Sequence, residues 1–257
     1  MCFGYTFNNS TSVVTITSGI FGEEEIKQIK IKFIADNIIQ LGWWIDGEWY
    51  FEDDEKYYRQ DVVEAKVNKV DLGLPSGTLW ADRNVGADSP EAYGDYFAWG
   101  ETSTKSTYNW RTYKWCQGSS ASMTKYCTDS SYGTVDNKTV LDLEDDAAYV
   151  NMGAEWRMPT HDELKELRNN CTWTWTSQKG TRGYKVTGPN GQSIFLPAAG
   201  CRCDSSLTYA GSRGYYWSAS LSESGPYLAW SLHFDYGYYN AYRSGRYYGR
   251  TVRAVAR

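Results

Sequence analysis

The run from Phe234 to Gly249, Phe-Asp-Tyr-Gly-Tyr-Tyr-Asn-Ala-Tyr-Arg-Ser-Gly-Arg-Tyr-Tyr-Gly, constrains the fold of this chain more than any other stretch. Between Asp235 and Arg250 there is no Val, Ile or Leu. A strand buried on both faces reads as a continuous aliphatic run, so this segment must lie at a surface. Tyr, Ser, Gly and Asn are also the residues that binding loops favour. Tyr gives rigid amphipathic contact area at low entropy cost, and the small residues give adaptable hydrogen bonds. The wider stretch Ser193–Arg257 holds 10 of the 22 tyrosines but no Lys, Gln or Met. An Asn codon AAY whose adenines are randomised becomes NNC or NNT. Such codons encode Tyr, Ser, Gly, Asp, His, Arg, Leu and Cys, and never Lys, Gln, Glu, Met or Trp. The composition reads as a diversified binding surface.

A chain of 257 residues can bury a sizeable core. A net charge of -5 argues against a general nucleic-acid binder, which needs a basic stripe to displace phosphate counterions. No stretch approaches the roughly 20 apolar residues of a membrane span, so no membrane insertion is expected. Met1-Cys2-Phe3-Gly4-Tyr5-Thr6-Phe7 has neither the basic nor the apolar region of a signal peptide. Cys116 and Cys127 are equally readable as a loop disulfide or as free thiols. Cys201 and Cys203 sit where randomised codons can produce them.

Residues 1–68 read as a small β-rich unit. Val13–Thr17 and Ile29–Ile34 are strand-like, and Trp43–Phe51 is a hairpin centred on Asp46-Gly47, a pair suited to a type I′ turn. Asp53-Asp54-Glu55-Lys56 reads as the start of a polar connection. From Val70 onward, short strands are punctuated by glycines such as Gly73, Gly86, Gly183 and Gly188, which read as turns. Thr160-His161-Asp162-Glu163 has the form of a capping box, with Leu164 and Leu167 on the buried face. A second short helix is expected around 140–149.

From Asp71-Leu72-Gly73-Leu74-Pro75-Ser76-Gly77-Thr78-Leu79-Trp80-Ala81 the chain resembles the Fibrobacter-succinogenes major paralogous domain, a family of gut Bacteroidetes with a C-type-lectin-like fold. The resemblance runs through Tyr93–Glu101, Glu144–Ala148, Trp156–Thr160, Phe195–Gly200, Tyr216-Trp217-Ser218 and Val252-Arg253, in the family's order. It implies an α+β C-type-lectin-like domain over 69–257, with short helices and a twisted antiparallel sheet, after a small β-rich unit at 1–68. Within that family the tail resembles variable proteins of diversity-generating retroelements, where adenine-directed mutagenesis rewrites Asn codons. Laid on a template of the form W-S-A-S-L-N-E-S-N-P-N-N-A-W-N-L-N-F, the invariant letters fall on Trp217, Ser218, Glu223, Pro226, Ala229, Trp230, Leu232 and Phe234. The mutable letters fall on Ser222, Gly225, Tyr227, Leu228, Ser231, His233 and Asp235. Each of those seven is reachable from an Asn codon by adenine changes. So are Tyr238, Tyr242, Arg243, Ser244, Gly245, Tyr247 and Tyr248, and upstream Tyr209 and Arg213. Trp217, Trp230 and Glu223 are not reachable, and they occupy fixed letters. These sixteen reachable positions, within a variable region at about 203–249, are the expected ligand contacts. Ten of them, Tyr209, Arg213, Tyr227, His233, Asp235, Tyr238, Tyr242, Arg243, Tyr247 and Tyr248, are expected to cluster on one exposed face, with Trp217, Trp230, Leu232 and Phe234 packed inward.

The lectin motifs Glu-Pro-Asn, Gln-Pro-Asp and Trp-Asn-Asp are absent, so the resemblance does not extend to calcium-dependent sugar binding. No cofactor, metal or catalytic group is expected. His161, in the first turn of a helix, reads as a solvated polar residue, and His233 as a contact. No G-x-S-x-G accompanies them, and Cys201-x-Cys203 with His233 lacks the ligands of a zinc site. The cluster Asp142, Glu144, Asp145, Asp146 reads as ion pairs beneath the binding surface, with calcium the lesser alternative. The expectation is therefore a non-enzymatic receptor-binding protein of a phage or prophage, carried at a tail-fibre tip. Its partner would be a host cell-surface protein or glycan. Residues 1–68 would join it to the fibre or to sister subunits, and a homotrimer would add avidity. The alternatives are a bacterial surface or pilus-tip adhesin and an enzyme of the formylglycine-generating type.

Overall fold

A computed structural model describes residues 67–256 and, before them, the backbone of five strands. The chain divides into two compact units, Met1–Ala65 and Lys66–Arg257. In the first, β1 (Tyr5–Asn8), β2 (Val13–Ile16), β3 (Lys27–Ala35), β4 (Ile38–Ile45) and β5 (Glu48–Tyr58) form one antiparallel sheet in sequential order. Ile45 pairs with Glu48, which leaves a two-residue connection at Asp46-Gly47; the turn itself lies outside the described residues. Asp53–Lys56 belong to β5 rather than to a connection. Gln40 still pairs with Lys56 across a register shift, so the ladder continues through the charged stretch.

The second unit is built mostly from small antiparallel sheets with few, short helices. Its strands are β6 (Lys69–Asp71), β7 (Leu79–Asn84), β8 (Thr172–Gln178), β9 (Thr181–Thr187), β10 (Ser193–Pro197), β11 (Cys201–Cys203), β12 (Ser206–Thr208), β13 (Gly214–Leu221), β14 (Leu228–Asp235), β15 (Tyr238–Gly245) and β16 (Arg253–Ala256). They pair in the orders β16-β7-β6, β10-β9-β8, β11-β12 and β13-β14-β15. Among the described residues no helix is long and apolar enough to cross a membrane.

Helix α1 (Ala147–Met152) starts later than the sequence suggests, after a 3-10 turn at Leu143–Asp145. The reason is Asp146. Its carboxylate accepts from the Ala148 and Tyr149 amides at 2.8 and 3.1 Å, fixing the helix start there, and from Met158 N at 2.8 Å. Helix α2 (His161–Asn170) has the capping box read from Thr160 and Glu163, and buries Leu164 and Leu167. Gly183 and Gly188 are not turn glycines with positive φ. A Cβ at either would meet a carbonyl oxygen, Leu196 O at 2.2 Å or Leu72 O at 2.0 Å, so each permits close backbone approach.

Two cores flank the β13-β14-β15 sheet. One contains Trp99, Tyr126, Trp156, Trp217, Ala229 and Val252; the other contains Trp80, Leu164, Leu167, Tyr216, Leu232 and Phe234. Four arginines are buried among the described residues; Arg83 pairs with Asp82, whereas Arg246, Arg250 and Arg253 have no carboxylate partner there. Arg246 donates to the Tyr113 hydroxyl and to the carbonyls of Tyr126, Pro226 and Lys125. Arg253 donates to Asn84 Oδ1 and the carbonyls of Ala81 and Phe195, and burial pushes its pKa down to about 10. Neutral acceptors satisfy Arg246 and Arg253 and tie the C-terminal segment to the rest of the unit.

Candidate binding surface

Strand periodicity sorts the residues of β14 and β15 between two faces. The pairs Ala229↔Ser244, Ser231↔Tyr242, His233↔Asn240 and Asp235↔Tyr238 alternate with Leu228↔Gly245, Trp230↔Arg243, Leu232↔Ala241 and Phe234↔Tyr239. On β13, Tyr215 pairs with His233 and Trp217 with Ser231, which joins them to the first set. The second set faces α2: Leu232 and Phe234 pack with Leu164 and Leu167. The first set covers the core at Trp217 and Ala229, then opens to solvent from His233 onward.

At that open end the side chains form one contiguous patch. The Arg213 guanidinium lies 4.3 Å from the Tyr209 ring centroid and hydrogen-bonds the Tyr215 side chain. The Tyr215 ring stacks on His233 at 4.6 Å and 5°. His233 in turn lies 5.5 Å from Tyr242 and 6.4 Å from Tyr238. The Tyr238 and Tyr242 hydroxyls are 2.6 Å apart. Tyr209, Tyr238 and Tyr242 are exposed at 51%, 40% and 44%, so all three rings reach solvent, with one face of Tyr209 covered by Arg213. Asp235, Tyr236 and Gly237 turn the chain from β14 into β15. The Tyr184 hydroxyl anchors that turn, donating to Asp235 O at 3.0 Å and accepting from Gly237 N at 3.0 Å.

The sixteen expected contacts do not all share this patch. Tyr209, Arg213, His233, Asp235, Tyr238 and Tyr242 belong to it. Ser222 and Ser231 are buried and leave the surface. Ser231 stands between Trp217 and Tyr242, where its hydroxyl accepts from Arg250 and donates to Tyr242 O at 3.1 Å. Ser222 accepts from Ser224 N. Gly225 is also buried, beneath the Tyr227 ring, so no Gly225 side chain is available for contact. Ser244 is half-buried and accepts from Arg250 at 2.7 Å. Tyr227 and Tyr247 pack against aromatics of the 100–135 loops, Tyr227 tilted on Tyr132 at 5.1 Å and Tyr247 edge-on to Trp110 at 4.8 Å. Tyr248 stacks on Tyr247 at 4.2 Å and packs against the first core. Leu228, Arg243 and Gly245 lie on the α2 face.

Trp230 departs from its expected inward packing: it is half-exposed. It lies on the α2 face beyond Leu232, where the helix begins. Its ring stacks on His161 at 3.7 Å and lies 4.9 Å from the Arg243 guanidinium, and its Nε1 donates to Glu223 at 3.1 Å. His161 is consequently buried against Trp230 rather than solvated. Burial, with Lys165 nearby, lowers its pKa. A cleft of about 630 Å³ beside this pair is lined by Thr160, Ser220 and Glu223, among others.

One patch residue, Tyr215, escapes the sequence pattern. Tyr215 precedes the family-like Tyr216-Trp217-Ser218, and its place depends on pairing with His233 across strands. Tyr236, in the turn, is 80% exposed, and its ring lies 6.2 Å from Trp175. The acidic cluster is occupied from within. Lys125 Nζ lies 2.7 Å from Asp142, 2.7 Å from Asp145 and 3.3 Å from Glu144, where a cation would be held. Cys116, Cys127, Cys171, Cys201 and Cys203 are free thiols.

Comparison of the chain with family models, curated proteins and solved structures finds no match.

Proposed function

We propose that the chain is a hypervariable ligand-binding protein in which residues 69–257 form a C-type-lectin-like scaffold for a rewritable surface. The observation that carries this reading is the patch of Tyr209, Arg213, His233, Tyr238 and Tyr242. Residues reachable from Asn codons by adenine changes meet there from three separate parts of the chain, while Trp217, Leu232 and Phe234, at the invariant letters, are buried. Binding proceeds through stacked rings, their hydroxyls and a planar guanidinium, without a catalytic step or a bound metal. The role is receptor binding at a phage tail-fibre tip, with residues 1–68 making the attachment. Several copies, as in a trimer, multiply a modest single-site affinity.

The test compares binding of the parent and a Tyr209→Ser, Tyr238→Ser, Tyr242→Ser variant to a panel of bacterial cells, with chelator present throughout. The expected result is binding by the parent and its loss in a variant that keeps its far-UV circular dichroism. Binding that needs a divalent cation, or that survives the triple change, refutes the assignment of this face.

A further inference from the structure

The patch is built over a cation that lacks a counter-charge. Arg250 is 5% exposed, and its guanidinium lies 4.9 Å from the Tyr215 ring centroid and 4.6 Å from that of Trp217. It donates to the Ser231 and Ser244 hydroxyls, and its Nε has no partner. Unlike Arg246 and Arg253, whose donors meet carbonyls, Arg250 is held by two hydroxyls and aromatic faces. Beside it, the buried Nε2 of His233 also has no partner. Arg213 adds a second positive charge at the Tyr215 hydroxyl. The charged groups around His233 are thus Arg250 and Arg213, opposed by Asp235 alone, with Tyr215, Tyr238 and Tyr242 as its ring neighbours. A buried charge and an unmet imidazole nitrogen beside an exposed surface favour a ligand that brings negative charge and acceptors.

The rest of the patch narrows the class. It is made of tyrosine faces, hydroxyls and planar donors, and contains no aliphatic side chain or apolar pocket in which a peptide would anchor a large residue. We infer that the patch of Tyr209, Arg213, Tyr215, His233, Tyr238 and Tyr242 takes an acidic saccharide, whose ring lies on the tyrosines and whose carboxylate meets Arg213 above the buried His233 nitrogen and Arg250. This deepens the proposed function and rests on it. Desolvation and the two arginines hold the free His233 imidazole below its ordinary pKa. A carboxylate placed beside it reverses the balance and raises that pKa.

The chain has two histidines, and His161 lies on the α2 side, so it serves as an internal control. The full-length protein, 15N-labelled at histidine, is titrated with glucuronate, glucose, acetate and an oligoglutamate peptide, following the ring nitrogens. Glucuronate is expected to shift His233 and raise its pKa while leaving His161 in place. Glucose and acetate at equal concentration should have little effect. Arg213→Gln should weaken glucuronate roughly tenfold, as for loss of one charge-assisted hydrogen bond. Three outcomes overturn the inference: glucose or acetate matches glucuronate, oligoglutamate matches it, or His233 does not respond. If the triple tyrosine variant loses cell binding while glucuronate neither binds nor competes, the ligand face stands and its acid chemistry falls. If cell binding survives the triple change, the face itself is misplaced.

Discussion

Trp217→Ala measures how sharply the scaffold is separated from the surface it carries. Trp217 is 0% exposed, packs in the core with Trp99 and Tyr126, and donates from Nε1 to Phe97 O at 2.9 Å. Truncating a core aromatic to Ala costs about 3–5 kcal/mol. The Phe97 carbonyl keeps its hydrogen bond from Arg250 N at 3.0 Å, so loss of the indole N–H adds only about 0.5–1.5 kcal/mol. Relaxation around the cavity offsets part of this, so a total of about 5 kcal/mol is expected, a large fraction of the roughly 5–15 kcal/mol of a typical domain. At about 2–4 °C per kcal/mol for a domain of this size, Tm should fall by roughly 10–20 °C. Tyr242 is 44% exposed, and its hydrogen bond to the Tyr238 hydroxyl is itself exposed to water. Tyr242→Ala should therefore cost under about 1 kcal/mol. Urea unfolding followed by circular dichroism compares the two, with Trp217→Phe as an intermediate that keeps the ring and loses the N–H. Losses for Trp217→Ala and Tyr242→Ala within about 1 kcal/mol of each other would refute the division between core and surface.

Three further outcomes follow from the same geometry. Burial works to raise the Glu163 pKa, but hydrogen bonds from Arg157, Thr160 and Thr78 outweigh it and hold the group at about 2. Its folded pKa is below its unfolded one, so its contribution of about 3 kcal/mol is present above pH 4.5 and fades as pH falls toward 2; Glu163→Gln should flatten the acid limb of the stability–pH curve, and an unchanged limb would contradict this. Lys125→Met removes the ammonium that Asp142, Glu144 and Asp145 share and should cost about 3 kcal/mol at neutral pH. The hydrogen bonds from Lys125 and Lys138 lower the Asp142 pKa, so the deficit should shrink in acid as the carboxylates protonate, and a loss independent of pH would show that charge is not the cause. Gly214→Ala places a Cβ 2.0 Å from the Phe234 ring and should destabilise by about 1–3 kcal/mol or more on urea unfolding, whereas no loss would mean that the ring has room to move.

Local rules that act within a few residues were legible in the sequence. Thr160 and Glu163 made the capping box because both partners lie within one turn. The hairpin strands β4 and β5 followed from short-range alternation around Asp46-Gly47. The start of α1 was misplaced because the acidic run offers several N-cap candidates, and only the Met158 amide, brought in from a distance, selects Asp146. At the site, codon reachability singled out sixteen positions but carried no information about which way each side chain faces. Ser231 and Tyr242 are opposite partners in one register, yet one lies beneath Arg250 and the other is exposed. Trp230 shows the converse, a residue at an invariant letter that the helix leaves half uncovered. Tyr215 was hidden because its membership depends on a cross-strand pair.

The placement of β16 has a consequence for any variation in the stretch before it. Residues 203–249 are followed by Val252 to Ala256, which are almost wholly buried, and β16 is zipped to β7 through Arg253↔Asn84 and Val255↔Trp80. A shift of reading frame between 203 and 249 therefore removes a strand on which both cores depend, along with Arg250 and Arg253. Such a product loses the native state, whatever its new surface. If the stretch is rewritten as proposed, folding acts as a proofreader: changes that keep the frame keep β16, and those that shift it are lost as unfolded chains.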